Sequence, residues 1–222
     1  MKKILLVLPI LLLIVGAVIA VPRLLKINQI VCQSQFGPCS FFISEKLQSV
    51  QGKSLWEARR ETKNILAREL FAVSYATHFN LPDKLMVNVI ERKAVVSISY
   101  DASSWWLVDK EGIVIGQSEV TNLPSLQIEG AKADFGLGAK LPARIYFAQT
   151  LLERLNYAHQ VTFARVTADA FVTQLPSLQE VVFPLEGDQE ILMGSLSLLL
   201  SRLKTTGQYS IIDLRYKNPV LK

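Results

Sequence analysis

Two cysteines are the first residues of this chain whose type and spacing could support chemistry. Cys32 and Cys39 are separated by six residues that include a Gly-Pro turn signal. A bend there can bring the two Cα atoms within disulfide range, and the bond would close a small loop worth about 2 kcal/mol in an oxidising compartment. Two unbridged thiols are the alternative. A metal site is not favoured, because neither of the two histidines lies near the cysteines in sequence.

The histidines do not complete a catalytic set. His78 lies in a strand pattern, and His159 ends a helical pattern. The sequence has no Gly-x-Ser-x-Gly elbow, no glycine-rich phosphate loop and no His-Glu-x-x-His pair. It therefore predicts a protein that is not an enzyme, with no cofactor, no metal and no small-molecule substrate.

The longest apolar segment is an uninterrupted run of 18 residues, 4–21. A helix of that length reaches roughly 27 Å, close to the hydrocarbon thickness of a bilayer. We therefore predict a cytoplasmic tail at residues 1–3, a transmembrane anchor at 4–25 and an extracytoplasmic body. A signal peptide cleaved after Ala20 is the alternative.

The charge of the body is mild. Without Lys2 and Lys3, the chain has 22 Lys and Arg against 19 Asp and Glu, a net charge of +3. This balance suits a domain beside an anionic lipid surface and does not require nucleic acid. A membrane is therefore a predicted partner and nucleic acid is not.

Between residues 26 and 93 the pattern predicts a strand, two helices and two strands. Residues 26–33 alternate as a strand does, and Ser40 precedes a helical pattern. Ser54 and Glu57 form a capping box, which predicts a second helix ending at about Leu70. Two further alternating runs then predict strands over residues 73–80 and 84–92.

From residue 94 onward the pattern predicts a mostly antiparallel β domain with two helices. A hairpin turn with a glycine follows the adjacent Trp105 and Trp106, one of which should face the core. A loop after Pro124 leads to a helix that begins at Pro142, and three short strands follow. A second helix precedes a final strand at 209–216. The predicted fold class is thus α+β, with domains at 26–93 and 94–222.

Three local motifs carry a family resemblance. The residues 91–94 (ERKA) resemble a motif at the exit of POTRA domains in the bacterial cell-division family FtsQ/DivIB, and the block before them resembles a POTRA domain. The residues 106–114 (WLVDKEGIV) resemble the first hairpin of that family's β domain. The residues 212–216 (IDLRY) resemble its terminal strand. Two departures are a very short tail and only six residues after Tyr216.

The resemblance implies a role without chemistry. It implies a single-pass scaffold at the division septum of the cell membrane, which links septal cell-wall synthesis components through extracytoplasmic protein contacts. The implied partners are FtsB/DivIC-like and FtsL-like divisome membrane proteins. A secreted or anchored POTRA-bearing chaperone or transport component is the alternative.

The predicted binding site is the final strand. A last strand tends to lie at a sheet edge, where its unpaired backbone groups can accept a partner strand. The resemblance implies this use of the edge near Arg215 and Tyr216. The predicted partner-binding residues are Ile212, Leu214, Arg215, Tyr216 and Asn218. The alternative is that Asp213 and Arg215 form only a pair that stabilises the strand.

Overall fold

The structure is a computed structural model, and it describes residues 24–130, 135–177, 179–206, 210–216 and 218–222. The predicted tail and all of the predicted anchor except Leu24 and Leu25 lie outside these ranges. None of the helices in the described ranges has the length and apolar character needed to cross a membrane. The chain divides into two compact units, Met1–Arg92 and Lys93–Lys222.

The first unit has the predicted order of a strand, two helices and two strands. Its sheet has the order β2-β1-β4-β3, in which β1 and β4 are parallel and the other neighbours are antiparallel. The short β2 was not predicted, and the second helix ends at Leu66, earlier than expected. The elements are β1 (Gln29–Ser34), β2 (Gly37–Pro38), α1 (Phe41–Gln48), α2 (Leu55–Leu66), β3 (Ala72–Asn80) and β4 (Lys84–Glu91).

The core of this unit lies between the helices and one face of the sheet. The alternation of β4 turns Leu85, Val87 and Val89 inward, where all three are buried. The predicted capping box of α2 is confirmed, since the Ser54 hydroxyl accepts from the Glu57 N–H and the Glu57 carboxylate accepts from the Ser54 N–H. The capping box is a local signal, and it determines where α2 begins.

The first motif of the family resemblance, residues 91–94, begins at the end of β4 and makes contacts that stabilise the first unit. The Glu91 carboxylate accepts from the Ser40 N–H at 2.9 Å, at the start of α1. The Arg92 side chain donates through Nε to the Leu70 carbonyl at 3.1 Å, beyond the end of α2. These two side chains tie the last strand of the unit to both of its helices.

A disulfide joins β1 to the start of α1. It links Cys32 with Cys39, and the Cys39 N–H also donates to the Cys32 carbonyl at 3.3 Å. Cys39 is buried against the core of the first unit. The bond closes a short loop that contains β2.

Reduction of this disulfide is expected to destabilise the first unit by about 2 kcal/mol, because the unfolded chain regains the freedom that the loop removed. The measurement is thermal unfolding of the protein with and without a thiol reductant. The double variant Cys32→Ser, Cys39→Ser is the control, and its melting temperature should not respond to the reductant. An unchanged melting curve of the unsubstituted protein under full reduction would contradict the expectation.

The described residues of the second unit form a nine-stranded sheet with the order β13-β12-β11-β10-β9-β8-β5-β6-β7. Most neighbouring strands are antiparallel, and β5-β8, β8-β9 and β11-β12 are parallel. The predicted α+β class with mostly antiparallel sheets is confirmed. The elements are β5 (Ala94–Ser99), β6 (Trp105–Asp109), β7 (Val114–Ser118), β8 (Ser125–Ile128), α3 (Ala143–His159), β9 (Phe163–Val166), β10 (Phe171–Gln174), β11 (Glu180–Phe183), α4 (Gln189–Thr206), β12 (Ile211–Asp213) and β13 (Val220–Leu221).

The prediction of a loop after Pro124 is wrong at its beginning. Ser125–Ile128 forms β8, which lies between β5 and β9 in the middle of the sheet. Leu126 and Ile128 alternate with polar residues and are buried. Four residues are too short a run for the alternation to stand out against the glycines that follow it.

The hairpin between β6 and β7 is built around Asp109. Its carboxylate accepts from the N–H groups of Glu111 and Ile113 at 2.9 and 2.8 Å. Gly112 has a φ of 76°, and a Cβ at this position would lie 2.6 Å from the ring of Tyr146. The turn therefore requires glycine on two grounds, backbone conformation and space.

Candidate partner-binding edge

The predicted position of the final strand is wrong in one respect that matters for function. Among the described residues of that segment, 210–216, the strand is Ile211–Asp213, β12, and it is not at the edge of the sheet. Val220–Leu221 returns as β13 and pairs with β12 in an antiparallel register. The side of β12 that was expected to be open is therefore already covered, and β13 is the edge strand.

The hydrogen bonds of β13 show which of its backbone groups face outward. Ile211 and Lys222 exchange two N–H to carbonyl bonds of 3.0 Å each. Pairs in an antiparallel ladder alternate between hydrogen-bonded and non-hydrogen-bonded, and Leu221 stands opposite Ile212 in the next pair. The N–H and carbonyl of Leu221 consequently point to the open side of the sheet.

Pro219 limits the hydrogen bonds that the edge can offer on the N-terminal side of Leu221. The residue two positions before Leu221 would also turn its backbone groups outward, but proline has no N–H to donate. Proline at such a position is typical of an edge strand. Leu221 is thus the residue of β13 that offers both an outward donor and an outward acceptor.

Two of the predicted partner-binding side chains belong to the core. Ile212 is fully buried, and Leu214 is 4% exposed. Both pack in the apolar core of the second unit. Their assignment as contact residues is therefore corrected, because a side chain facing the core cannot line the open side of the ladder.

Arg215 is held by two carboxylates of its own chain. It donates through Nε and Nη2 to Asp213 at 3.1 and 2.8 Å, and through Nη1 to Asp169 at 2.8 Å. The alternative pairing of Asp213 with Arg215 is thus present, with Asp169 as a further partner that the sequence did not indicate. The pair is a two-point contact of the kind that fixes a guanidinium in one orientation.

Asp213 depends on this arrangement. It is 7% exposed, and the side-chain hydrogen bonds from Arg215 lower the pKa of its carboxyl group, against the opposing effect of burial. The Arg215 backbone N–H donates to the same carboxylate at 3.1 Å. At neutral pH Asp213 is therefore ionised, and it anchors the segment that leaves β12.

Tyr216 and Asn218, like Arg215, are predicted site residues that lie on the surface. Tyr216 is 58% exposed, and the Arg215 guanidinium lies 5.8 Å from the centre of its ring. Asn218 is also exposed, in the segment that leads to β13. An exposed aromatic side chain thus stands on the connection that precedes the edge strand.

The other candidate residues are dispersed. His78 lies on β3 of the first unit, whereas His159 ends α3 of the second. Trp106 packs against the core of the second unit and against Phe135. In the ranges described above, no group of three or more His, Cys, Asp or Glu side chains is placed to hold a metal ion.

Comparison with known proteins does not give this chain a family. No protein-family model matches the sequence, and no curated protein matches it either. The edge of the second unit and the motifs of the chain are therefore the observations from which a function can be argued.

Proposed function

We propose that this protein is a non-enzymatic, single-pass membrane scaffold of the bacterial divisome with the organisation of FtsQ/DivIB. In this proposal residues 4–25 anchor the chain, and the first unit is a POTRA domain. The second unit is a β domain that joins septal cell-wall synthesis components outside the cytoplasm. The order of the three motifs and the strand-helix-helix-strand-strand order of the first unit support this proposal.

The observation that carries the binding role is the open side of β13. The outward N–H and carbonyl of Leu221 can pair with an extended segment of another chain, which gives affinity through main-chain hydrogen bonds. The partner in this proposal is an FtsB/DivIC-like protein, with an FtsL-like protein alongside. The binding strand is β13, and β12 supports it from within the sheet.

Side chains next to the ladder supply specificity in this proposal. The exposed Tyr216 is of a type that often contributes strongly to binding at interfaces. The hydrogen bonds described for Arg215 use three of its five N–H groups, so a partner carboxylate can bind to the remaining ones. Arg215 would thereby present hydrogen-bond donors close to the Tyr216 ring, whose centre lies 5.8 Å from its guanidinium.

Replacing Tyr216 with Ala is expected to weaken partner binding by about tenfold, because a large aromatic contact is lost. The measurement is the affinity of the purified protein for its FtsB/DivIC-like partner. Tyr157→Ala is a matched control, since Tyr157 is a 94% exposed tyrosine on α3, and its loss should leave affinity unchanged. Equal affinities for the Tyr216 variant and the unsubstituted protein would argue against this contact.

The proposal as a whole is tested by purifying the full-length protein from its native membranes in mild detergent. We expect the FtsB/DivIC-like and FtsL-like proteins to co-purify with it, and we expect its intact mass to include residues 1–25. We also expect depletion of the protein to cause filamentation. A mature form that lacks the apolar run, with normal division on depletion, would favour the chaperone or transport alternative.

A further inference from the structure

One end of the first unit is assembled around Ile27 and Asn28, where the described chain leads into β1. The Ile27 N–H donates to the Lys53 carbonyl at 2.9 Å. The Asn28 N–H donates to the Asp83 carbonyl at 3.0 Å, and the Asn28 side-chain amide donates to the Asp83 carboxylate at 2.9 Å. The start of the described chain, the turn before α2 and the turn between β3 and β4 thus form one surface, which we call the base.

Three large apolar side chains are exposed on the base. Leu24 and Leu81 are each 79% exposed, and Trp56 is 49% exposed. The Leu55 N–H donates to the Leu25 carbonyl at 2.7 Å, so the residues adjacent in sequence to Trp56 and Leu24 are in direct contact. Exposed apolar residues that are grouped in this way mark an interaction surface, whereas scattered ones do not.

Cations lie on the same segments as these apolar side chains. Five lie on the base or on the first two turns of α2, against three carboxylates, and the Arg60 guanidinium lies 5.7 Å from the centre of the Trp56 ring. Each carboxylate is already engaged, Glu57 with Ser54, Glu61 with Lys53 and Asp83 with Asn28. Five cations against three carboxylates leave these segments with a formal net charge of +2. The cations are Lys26, Lys53, Arg59, Arg60 and Lys84.

We infer that the base is a docking surface for an anionic phospholipid bilayer. Tryptophan prefers the headgroup level of membranes, and basic side chains are attracted to anionic lipids. The apolar run of residues 4–21 lies directly before this surface in sequence, so an anchor there would deliver the base to the lipid. The inference rests on the membrane anchoring in the proposed function and adds a second, electrostatic contact to it.

A fluorescent label at the base tests this contact in the full-length chain. The variant Leu81→Cys provides one thiol for an environment-sensitive label, because Cys32 and Cys39 are bonded to each other. The control is Ile90→Cys, which is 48% exposed near the opposite end of β4. The protein is reconstituted into phosphatidylcholine vesicles with and without phosphatidylglycerol, and quenching by lipids with spin-labelled headgroups is measured.

We expect the label at position 81 to be quenched several-fold more than the label at position 90, and more strongly when phosphatidylglycerol is present. Replacing Lys26 and Lys84 with Gln should weaken binding of the base to the anionic lipid surface by about fivefold for each lysine. Equal quenching at positions 81 and 90 in both lipids would overturn the inference. Shielding of position 81 only after a partner protein is added would also overturn it, and would assign the base to that protein.

Flotation of the same vesicles separates this inference from the proposed function. A chain that floats with the vesicles but shows no extra quenching at position 81 is anchored without a lipid contact at the base, which refutes the inference alone. A chain that does not float refutes the anchoring and the lipid contact together. Flotation with quenching at position 81 supports both.

Discussion

Replacing Leu221 with proline is expected to weaken binding of the FtsB/DivIC-like partner by about 30-fold. Proline removes the outward N–H of β13, and the partner carbonyl that it would have bound is left buried without a donor. Leaving such a group unpaired costs about 1–3 kcal/mol, and 1.4 kcal/mol corresponds to a factor of ten in affinity. The inward hydrogen bonds between Ile211 and Lys222 do not involve this N–H.

Leu221→Ala is the matched control for this experiment. The Leu221 side chain packs partly against the core, and both substitutions lose that packing, but only proline loses the donor. Scanning calorimetry should give similar unfolding temperatures for the two variants. Titration calorimetry with the partner should give different affinities. If the alanine variant loses as much affinity as the proline variant, the side chain and not the backbone makes the contact.

Arg215→Ala is expected to lower the free energy of unfolding of the second unit by about 2 kcal/mol at neutral pH. The substitution leaves the nearly buried Asp213 carboxylate with the backbone N–H of residue 215 as a remaining partner. Removing one member of such a pair costs more than an exposed pair would contribute. The measurement is chemical denaturation, analysed for the transition of the second unit.

The pH dependence of this loss has a definite sign. The folded-state pKa of Asp213 is lowered below its ordinary value of 3.8, mainly by hydrogen bonds from Arg215. The contribution of the pair is therefore fully present above about pH 4 and is lost as pH falls through the folded-state pKa. The stability difference between the unsubstituted protein and Arg215→Ala should shrink over that range.

Arg154→Ala is the control for the loss of one positive charge, as distinct from the loss of the pair between Asp213 and Arg215. Arg154 lies 3.9 Å from Glu190, and both side chains are about half exposed or more, so its loss should change stability by less than about 0.5 kcal/mol. A stability difference for Arg215→Ala that stays constant down to pH 2 would show that the ionisation of Asp213 is not its source.

Much of the first unit could be predicted because its signals are local. The capping box at Ser54 and Glu57 and the alternation of β4 each specify an element within a few residues. The end of α2 was harder to place, because Arg68 and Glu69 suit a helix but lie beyond its last turn. Helix ends of this kind are decided by tertiary contacts such as the bond from Arg92 to Leu70.

The binding edge was harder to predict because it depends on pairing between segments. The sequence indicates a strand near Ile212 but does not show whether its outer side is filled. Asn218 and Pro219 are turn residues before two aliphatic residues, a signal that could have revealed β13. The contact between Arg215 and Asp169 spans 46 positions and leaves no local signal at all.

The most direct test of the central claim is hydrogen exchange of the Leu221 amide, followed by NMR in the full-length protein with and without the extracytoplasmic segment of the FtsB/DivIC-like partner. If a partner strand completes the sheet at β13, exchange of this amide should slow by about a hundredfold or more on binding, while the amides of the opposite edge strand, β7, keep their rates. Saturating binding that leaves the Leu221 amide as fast as before, or that protects β7 instead, would contradict the account.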